Sequence, residues 1–269
     1  LEAPYVAEMA RLDAERILGA EEALTGGYSV YTTVDSRLQV AANDALRAAL
    51  IDYEERHGYR GPEASIAQGT PETDALATLR GLTAPGGLIA ALVLSTTPEK
   101  AELKFADGTT GELAFEQVKW ARRWISSNQR GPAPTNLTSV LKAGDVIRVR
   151  QLPDDGGWRL TQLPTVQGAL VGLDPEDGSI RALIGGYSFG RSKFNRATQS
   201  ERQPGSSFKP FVYSAAFEKG FTAASIVNDA PIVFDIPGVE KAWRPQNDNE
   251  TFSGPIRLRE AMVRSKNLV

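Results

Sequence analysis

Apolar residues at Val6, Met9, Ala10, Leu12 and Ile17 recur at roughly helical spacing, and predict a helix over residues 4–18. "GGYSVYTTVD" (26–35) then reads as a glycine turn and a strand rich in β-branched and aromatic residues. In the following stretch Leu38, Ala41, Ala42, Ala45, Leu46, Ala49 and Leu50 line one face of an amphipathic helix that ends near Gly58. From Gly61 the texture changes. Proline and glycine punctuate short apolar runs, "GLIAALVLST", "KAELKFADG", "TGELAFEQVKWA", "DVIRVRQL" and "WRLTQLP", with "ADG" at 106–108 as a hairpin signal. About five short strands in roughly a hundred residues predict a small barrel of the oligonucleotide/oligosaccharide-binding (OB) kind over residues 61–164. Beyond it, "GALVGLD" and "SIRALIGG" flank the turn "PEDG", and a helix with Phe208, Phe211, Val212, Ala215 and Ala216 as a buried stripe ends at Gly220. A last helix is predicted from Pro255 onward. The pattern describes an α+β chain in three parts: residues 1–60, 61–164 and 165–269.

Composition narrows the chemistry. The chain has no cysteine, which excludes disulfides, thiolate catalysis and cysteine-ligated metals. Its one histidine, His57, sits at a polar helix end running into glycine, where a solvated helix-terminal imidazole is the ordinary reading. A Ser-His-Asp triad would have to be built on it, and an imidazole metal cluster has no other member. The formal net charge of −3 argues against a nucleic-acid surface, so the basic and aromatic run "KWARRW" (119–124) does not read as a single-strand binder. Trp120, Trp124 and Trp158 offer a ligand face, or are packing residues, the commoner fate of such tryptophans. Trp243 stands equally between a groove and a core role.

One local rule is broken. In "RQPGSSFKPFVY" serine begins a helix at Ser206, a favoured cap residue, with Pro210 in the first turn. The place three residues on, where a capping box wants Glu or Gln, is held by Lys209. A cation there opposes the helix dipole by roughly 0.3–1 kcal/mol. The spacing that is wrong for a cap puts an amine near a hydroxyl on one helix face, where burial and the positive helix end favour the neutral amine. Cap or nucleophile with its base remain the two readings of Ser206. The spacing is cheap: Ser139 and Lys142 repeat it where a packing role is expected. "RSKNLV" adds Ser265 and Asn267 one residue apart, a pattern that Ser126-Ser127-Asn128 also repeats.

The longer blocks "GALVGLDPEDGSIRALIGG", "SKFNRATQSERQPGSSFKPFVYSAAFEKG" and "GPIRLREAMVRSKNLV", with "APYVAEM", "YTTVDSRLQVAANDAL" and "DYEERHGYRGP", resemble the class A penicillin-binding proteins. The resemblance spans nearly the whole chain, least closely over residues 61–164. It implies an OB-like barrel beside a serine D-Ala-D-Ala transpeptidase domain, preceded by a linker segment, in a bifunctional peptidoglycan synthase that also carries a glycosyltransferase. It implies Ser206 as the acylated nucleophile, Lys209 as its base, Ser265 as a proton relay and Asn267 as a substrate-orienting amide. Peptidoglycan stem peptides are then the substrates and β-lactams the covalent inhibitors, with no metal or cofactor and no nucleic acid. An envelope lipoprotein or another divisome or elongasome partner would dock on residues 61–164, and the periplasmic face of the bacterial inner membrane is the implied location. The residue between the serine and asparagine is Lys266 rather than aspartate, at a position the family lets vary. The family's third motif, K-[ST]-G, occurs nowhere in the chain, so these residues alone are expected to be inactive, the middle of a larger protein. A serine β-lactamase, a penicillin sensor and a non-catalytic docking module are the competing readings.

Overall fold

The computed structural model describes residues 1–153, 156–233 and 243–269. They form two compact units, Leu1–Ser200 and Glu201–Val269. In the first, the expected helix appears as α1 (Pro4–Leu18), followed by α2 (Ala20–Thr25) and the long α3 (Ser36–His57). Asp35 caps α3, its side chain accepting from the backbone N–H groups of Arg37 and Leu38. The buried face of α3 is rotated from the one expected. Gln39, Ala42, Asn43, Leu46, Leu50, Ile51 and Glu54 are buried, whereas Leu38 is 51% exposed. Alanine spacing misled because three polar side chains on this face find partners. Gln39 takes the Leu183 N–H (2.9 Å) and donates to the Leu183 carbonyl (3.0 Å), closing onto a strand as another strand would.

That strand belongs to the predicted hairpin, β9 (Leu170–Leu173) and β10 (Ile180–Ile184), antiparallel across the turn at 174–179. It packs with Tyr5, Leu46, Leu50 and Tyr187 into one apolar cluster. The predicted strand at 26–35 is not one. Thr33 donates to the Ile180 carbonyl and the Asp35 N–H to the Arg181 carbonyl, but no ladder forms and Tyr31 is 92% exposed. β-Branched composition makes a strand only where a neighbour takes the backbone groups.

The segment read as a barrel carries β1 (Ala64–Ser65), α4 (Glu72–Arg80), β2 (Ile89–Thr96), β3 (Lys100–Phe105), β4 (Thr110–Ala114), β5 (Trp124–Ser126), β6 (Gln129–Arg130), β7 (Asp145–Gln151) and β8 (Trp158–Thr161). All five predicted strands are present. They order as β1-β7-β2-β3-β4 with β8 on β7, and β5 pairs separately with β6. Among the described residues this ladder stays open between β4 and β8, so the module is OB-like without being a closed barrel. Trp158 fills the approach, its ring 4.5 Å from Phe105. The inner face buries Ala91, Val93, Leu103, Leu113, Ile147, Val149 and Leu160. A second cluster seats the unpredicted α4 through Ala75 and Leu79 against Ala90, Leu92 and Val146.

The chain enters this module after α3 and leaves it at Gln162–Val166, and one carboxylate holds both crossings. Glu54, fully buried, pairs with Arg60 on the way in. On the way out it accepts from Thr165 N–H (2.8 Å), Thr165 Oγ1 (2.8 Å), Val166 N–H (3.2 Å) and Gln162 Nε2 (3.2 Å). Gly58 ends α3 at φ +105°, and a Cβ there would lie 2.6 Å from the Arg122 carbonyl.

The second unit pairs β11 (Ile226–Asp229) with β12 (Gly254–Arg257) in a two-stranded sheet. The helix expected from Pro255 is therefore a strand at its start, and only α6 (Leu258–Val263) is helical. In a two-stranded sheet every strand is an edge, where the N–H that Pro255 lacks is not needed. α5 (Lys209–Glu218) packs Tyr213 with Ile256, Leu258 and Ala261. Its predicted stripe is not buried: Phe208, Phe211 and Val212 are each more than half exposed. Asp229, the last residue of β11, is ion-paired with Lys266 beyond α6, Nζ to Oδ2 at 2.8 Å, with side chains 0% and 5% exposed.

Two predictions follow from these carboxylates. Glu54→Gln should leave Arg60 unpaired and cost about 3 kcal/mol, a fall in Tm of roughly 6–12 °C measurable by calorimetry. Burial alone would raise the Asp229 carboxyl, but hydrogen bonds from Lys266, Asn247 and Ser253 hold it down at about 2. A carboxylate depressed from its ordinary 3.8 stabilises fully above that value, and the gain is lost as pH falls toward 2. Urea midpoints taken down that range should fall more steeply for the parent than for Asp229→Asn.

Candidate active site

α5 starts at Lys209, directly after a 3-10 turn at Gly205–Phe208 that carries Ser206. The cap reading of Ser206 fails. No side chain caps either element; it is Ser207 whose hydroxyl turns back to the Pro204 carbonyl. Among the described residues the Ser206 hydroxyl takes part in no hydrogen bond. It is exposed and lines a cavity of about 640 Å³ together with Asn247, Thr251, Ser265, Lys266 and Asn267.

Lys209 reaches across to the end of the chain. Its Nζ donates to Asn267 Oδ1 (2.8 Å), Ser265 Oγ (3.0 Å), the Ser265 carbonyl (2.6 Å) and the Lys266 carbonyl (2.9 Å). Four oxygens thus surround a group with three protons, and they fix the amine at one point. Burial pushes the Lys209 ammonium below its ordinary range, which favours the neutral, basic form. The structure therefore joins Lys209, Ser265 and Asn267 directly and puts Ser206 on the same cavity.

The loop that meets the amine is itself constrained. Ser265 sits at φ +49°, in the left-handed region that non-glycine residues enter at a cost of order 1 kcal/mol. Its neighbour Lys266 turns inward to Asp229. Asn247 then bridges the two: its Nδ2 donates to Asp229 Oδ1 (2.7 Å) while its Oδ1 accepts the Asn267 N–H (2.8 Å). The Asn267 amide is oriented by donating to the Gln246 carbonyl at 2.9 Å. Sequence reasoning overlooked Asp229 and Asn247, which lie in polar surroundings far from either motif. The available signal was Lys266, a lone cation between two motif residues.

The repeated spacings lead elsewhere. Ser139 Oγ donates to the Asn136 carbonyl (2.6 Å) inside a capped 3-10 turn, and Lys142 is exposed at the turn before β7. Ser127 and Asn128 form the tip between β5 and β6. Trp120 donates to the Leu160 carbonyl (3.0 Å) and packs, with Trp158, on the module's core, so a shared tryptophan face is absent. Trp124 lies under the Arg60 guanidinium, 5.3 Å from its ring centre. His57 stacks on Tyr53 at 3.9 Å, with its Nδ1 2.7 Å from the Tyr53 carbonyl. No group of three or more metal-ligating side chains occurs among the described residues.

Residues 59–166 match the family of the penicillin-binding protein OB-like domain, and residues 168–269 that of the penicillin-binding protein transpeptidase domain. Penicillin-binding protein 1A of Pseudomonas aeruginosa is 50% identical over the whole chain, and that of Escherichia coli 43% identical over 99% of it. The chain spans 32% of the length of each, about a third. The crystal structure of penicillin-binding protein 1A from Haemophilus influenzae superposes with a TM-score of 0.84 at 39% identity, covering 98% of this chain and 38% of that one. An OB-like module and a transpeptidase segment, joined in one order and matched over nearly the whole chain by these relatives, make the chain a homologue of a segment of the penicillin-binding proteins 1A.

Proposed function

We propose that this chain supplies the nucleophile, base and relay of a serine transpeptidase that crosslinks peptidoglycan stem peptides. The observation that carries the reading is the Lys209 amine, held by Ser265 and Asn267 at the start of the helix that follows Ser206. In the acylation step the neutral Lys209 amine takes the Ser206 proton as Oγ attacks the penultimate D-Ala carbonyl. The C–N bond to the terminal D-Ala breaks, and the proton passes through Ser265 to the departing amine. An amine of a neighbouring stem then attacks the ester; its proton returns to Ser206 Oγ as the C–O bond breaks. The Asn267 amide, set by its two hydrogen bonds, orients the peptide. The positive end of α5 favours negative charge developing near Ser206. β-Lactams enter the first step and stop there, which separates a synthase from a β-lactamase.

No K-[ST]-G sequence occurs in these residues. Since one missing oxyanion donor costs roughly 2.7–4 kcal/mol of transition-state stabilisation, we assign turnover to the full-length protein carrying this sequence, at the periplasmic face of the inner membrane. Among the described residues no helix is long and apolar enough to cross a membrane. Docking of an envelope partner on residues 61–164 is part of the same proposal, supported by the exposed Arg123, Trp124, Ile125 and Arg130 around the β5–β6 hairpin.

Intact mass of the full-length protein after benzylpenicillin should show one stable adduct, absent in Ser206→Ala. Lys209→Arg keeps the charge without the base and should slow acylation by about 100- to 10,000-fold. In the parent the rate should rise with pH, with a midpoint below the ordinary lysine value of 10.5. A folded full-length protein that forms no adduct, or an adduct that survives Ser206→Ala, would overturn the reading.

A further inference from the structure

The buried ion pair behind the site does more than close a small core. Its lysine is the residue between Ser265 and Asn267, so the tether acts on the peptide units whose carbonyls meet Lys209. Asp229 reaches this loop by two routes. One runs through the Lys266 side chain, 2.8 Å from Oδ2. The other runs through Asn247, which accepts the Asn267 N–H at 2.8 Å and donates to Asp229 Oδ1 at 2.7 Å. Ser253 N–H donates to Oδ2 (2.9 Å), and Asn247 Nδ2 also donates to the Thr251 carbonyl (2.8 Å), so the carboxylate is itself fixed from β12's side. The three groups that meet the Asp229 carboxylate, from Lys266, Asn247 and Ser253, all belong to residues that line the cavity.

The loop held in this way has an unfavourable backbone. Ser265 at φ +49° would relax if released, and its hydroxyl and carbonyl would leave the amine. A hydrophobic pair at 229 and 266 would fill the same volume and often costs no stability. The charge pair is therefore accounted for by placement as well as by folding.

We propose that Asp229 and Asn247 are positioning residues for the transpeptidase reaction: through Lys266 and the Asn267 N–H they hold the Ser265–Asn267 loop in the strained geometry that seats Lys209. The inference rests on the function proposed above. Neither residue touches the reacting atoms.

The test compares Asp229→Asn, the neutral pair Asp229→Asn with Lys266→Met, and Asn247→Ala in the full-length protein. Tm and the second-order rate of benzylpenicillin acylation are measured for each. Asp229→Asn alone leaves the Lys266 ammonium buried and unpaired, and any loss of folding there is removed by the double variant. The expected result is a double variant with a Tm near the parent and acylation slowed by about 100-fold, the size of effect that misplacing a catalytic group by an ångström produces. Its rate should also reach half-maximum at a higher pH than in the parent, because a loosened loop exposes Lys209. Asn247→Ala should slow acylation in the same direction. Double-variant protein that melts and acylates like the parent, with an unchanged pH profile, would overturn the positioning role and leave the proposed function standing. A parent that forms no Ser206 adduct would overturn both.

Discussion

Two fully buried carboxylates organise this chain, and the more far-reaching is Glu54. A charge taken out of water is tolerated only where its oxygens are filled, and Glu54 fills them with groups drawn from both ends of an inserted module. The OB-like segment can therefore vary in its own sheet while its two attachment points stay fixed relative to α3. Gln162 reinforces the arrangement by accepting the Arg60 N–H and donating to the Gly58 carbonyl, so entry and exit segments are bonded to each other as well as to the helix. In the second unit Asp229 does the same work at smaller scale, joining β11, the 247–253 loop and the chain end.

The polar economy of the site follows from that scaffold. A lysine amine surrounded by backbone and side-chain oxygens would ordinarily be expected to hold its proton, but Lys209 lies where burial acts against the charge. The oxygens then serve chiefly to aim it. Ser265 and Asn267 contribute side chains to the cluster, and the peptide carbonyls at 265 and 266 contribute as much, which is why the backbone angle of Ser265 matters to the chemistry.

Much of this was legible in the sequence, for reasons that differ by element. The helix at 4–18, the five strands of the OB-like module and the 170–184 hairpin follow from periodicity and turn residues, both local signals. α4 was hidden by the proline and glycine density around "TPETDALATLRG", although its acidic first turn and terminal arginine suit a helix. The segment 26–35 and the stripe of α5 failed in a common way: composition reports what a surface is able to pack against, and the packing partner is not written locally. Ser206, Lys209, Ser265 and Asn267 were selected as candidates from the longer sequence blocks around them, since each short spacing has a second copy in the chain. Asp229, Asn247 and Glu54 were not, since each acts through partners that folding alone brings near; Glu54 lies in "YEERHG", which reads as a solvated helix end.

The tie between Lys266 and Asp229 also limits which residues position 266 accepts. An acid at position 266 would face Asp229 in a buried site, and one of the two carboxyls would have to stay protonated or leave. Replacing Lys266 by an acid therefore calls for a neutral residue at 229 as well. The two positions, 37 residues apart, are physically coupled, and a middle residue that looks unconstrained in the short motif is bound by a contact that only the folded chain displays.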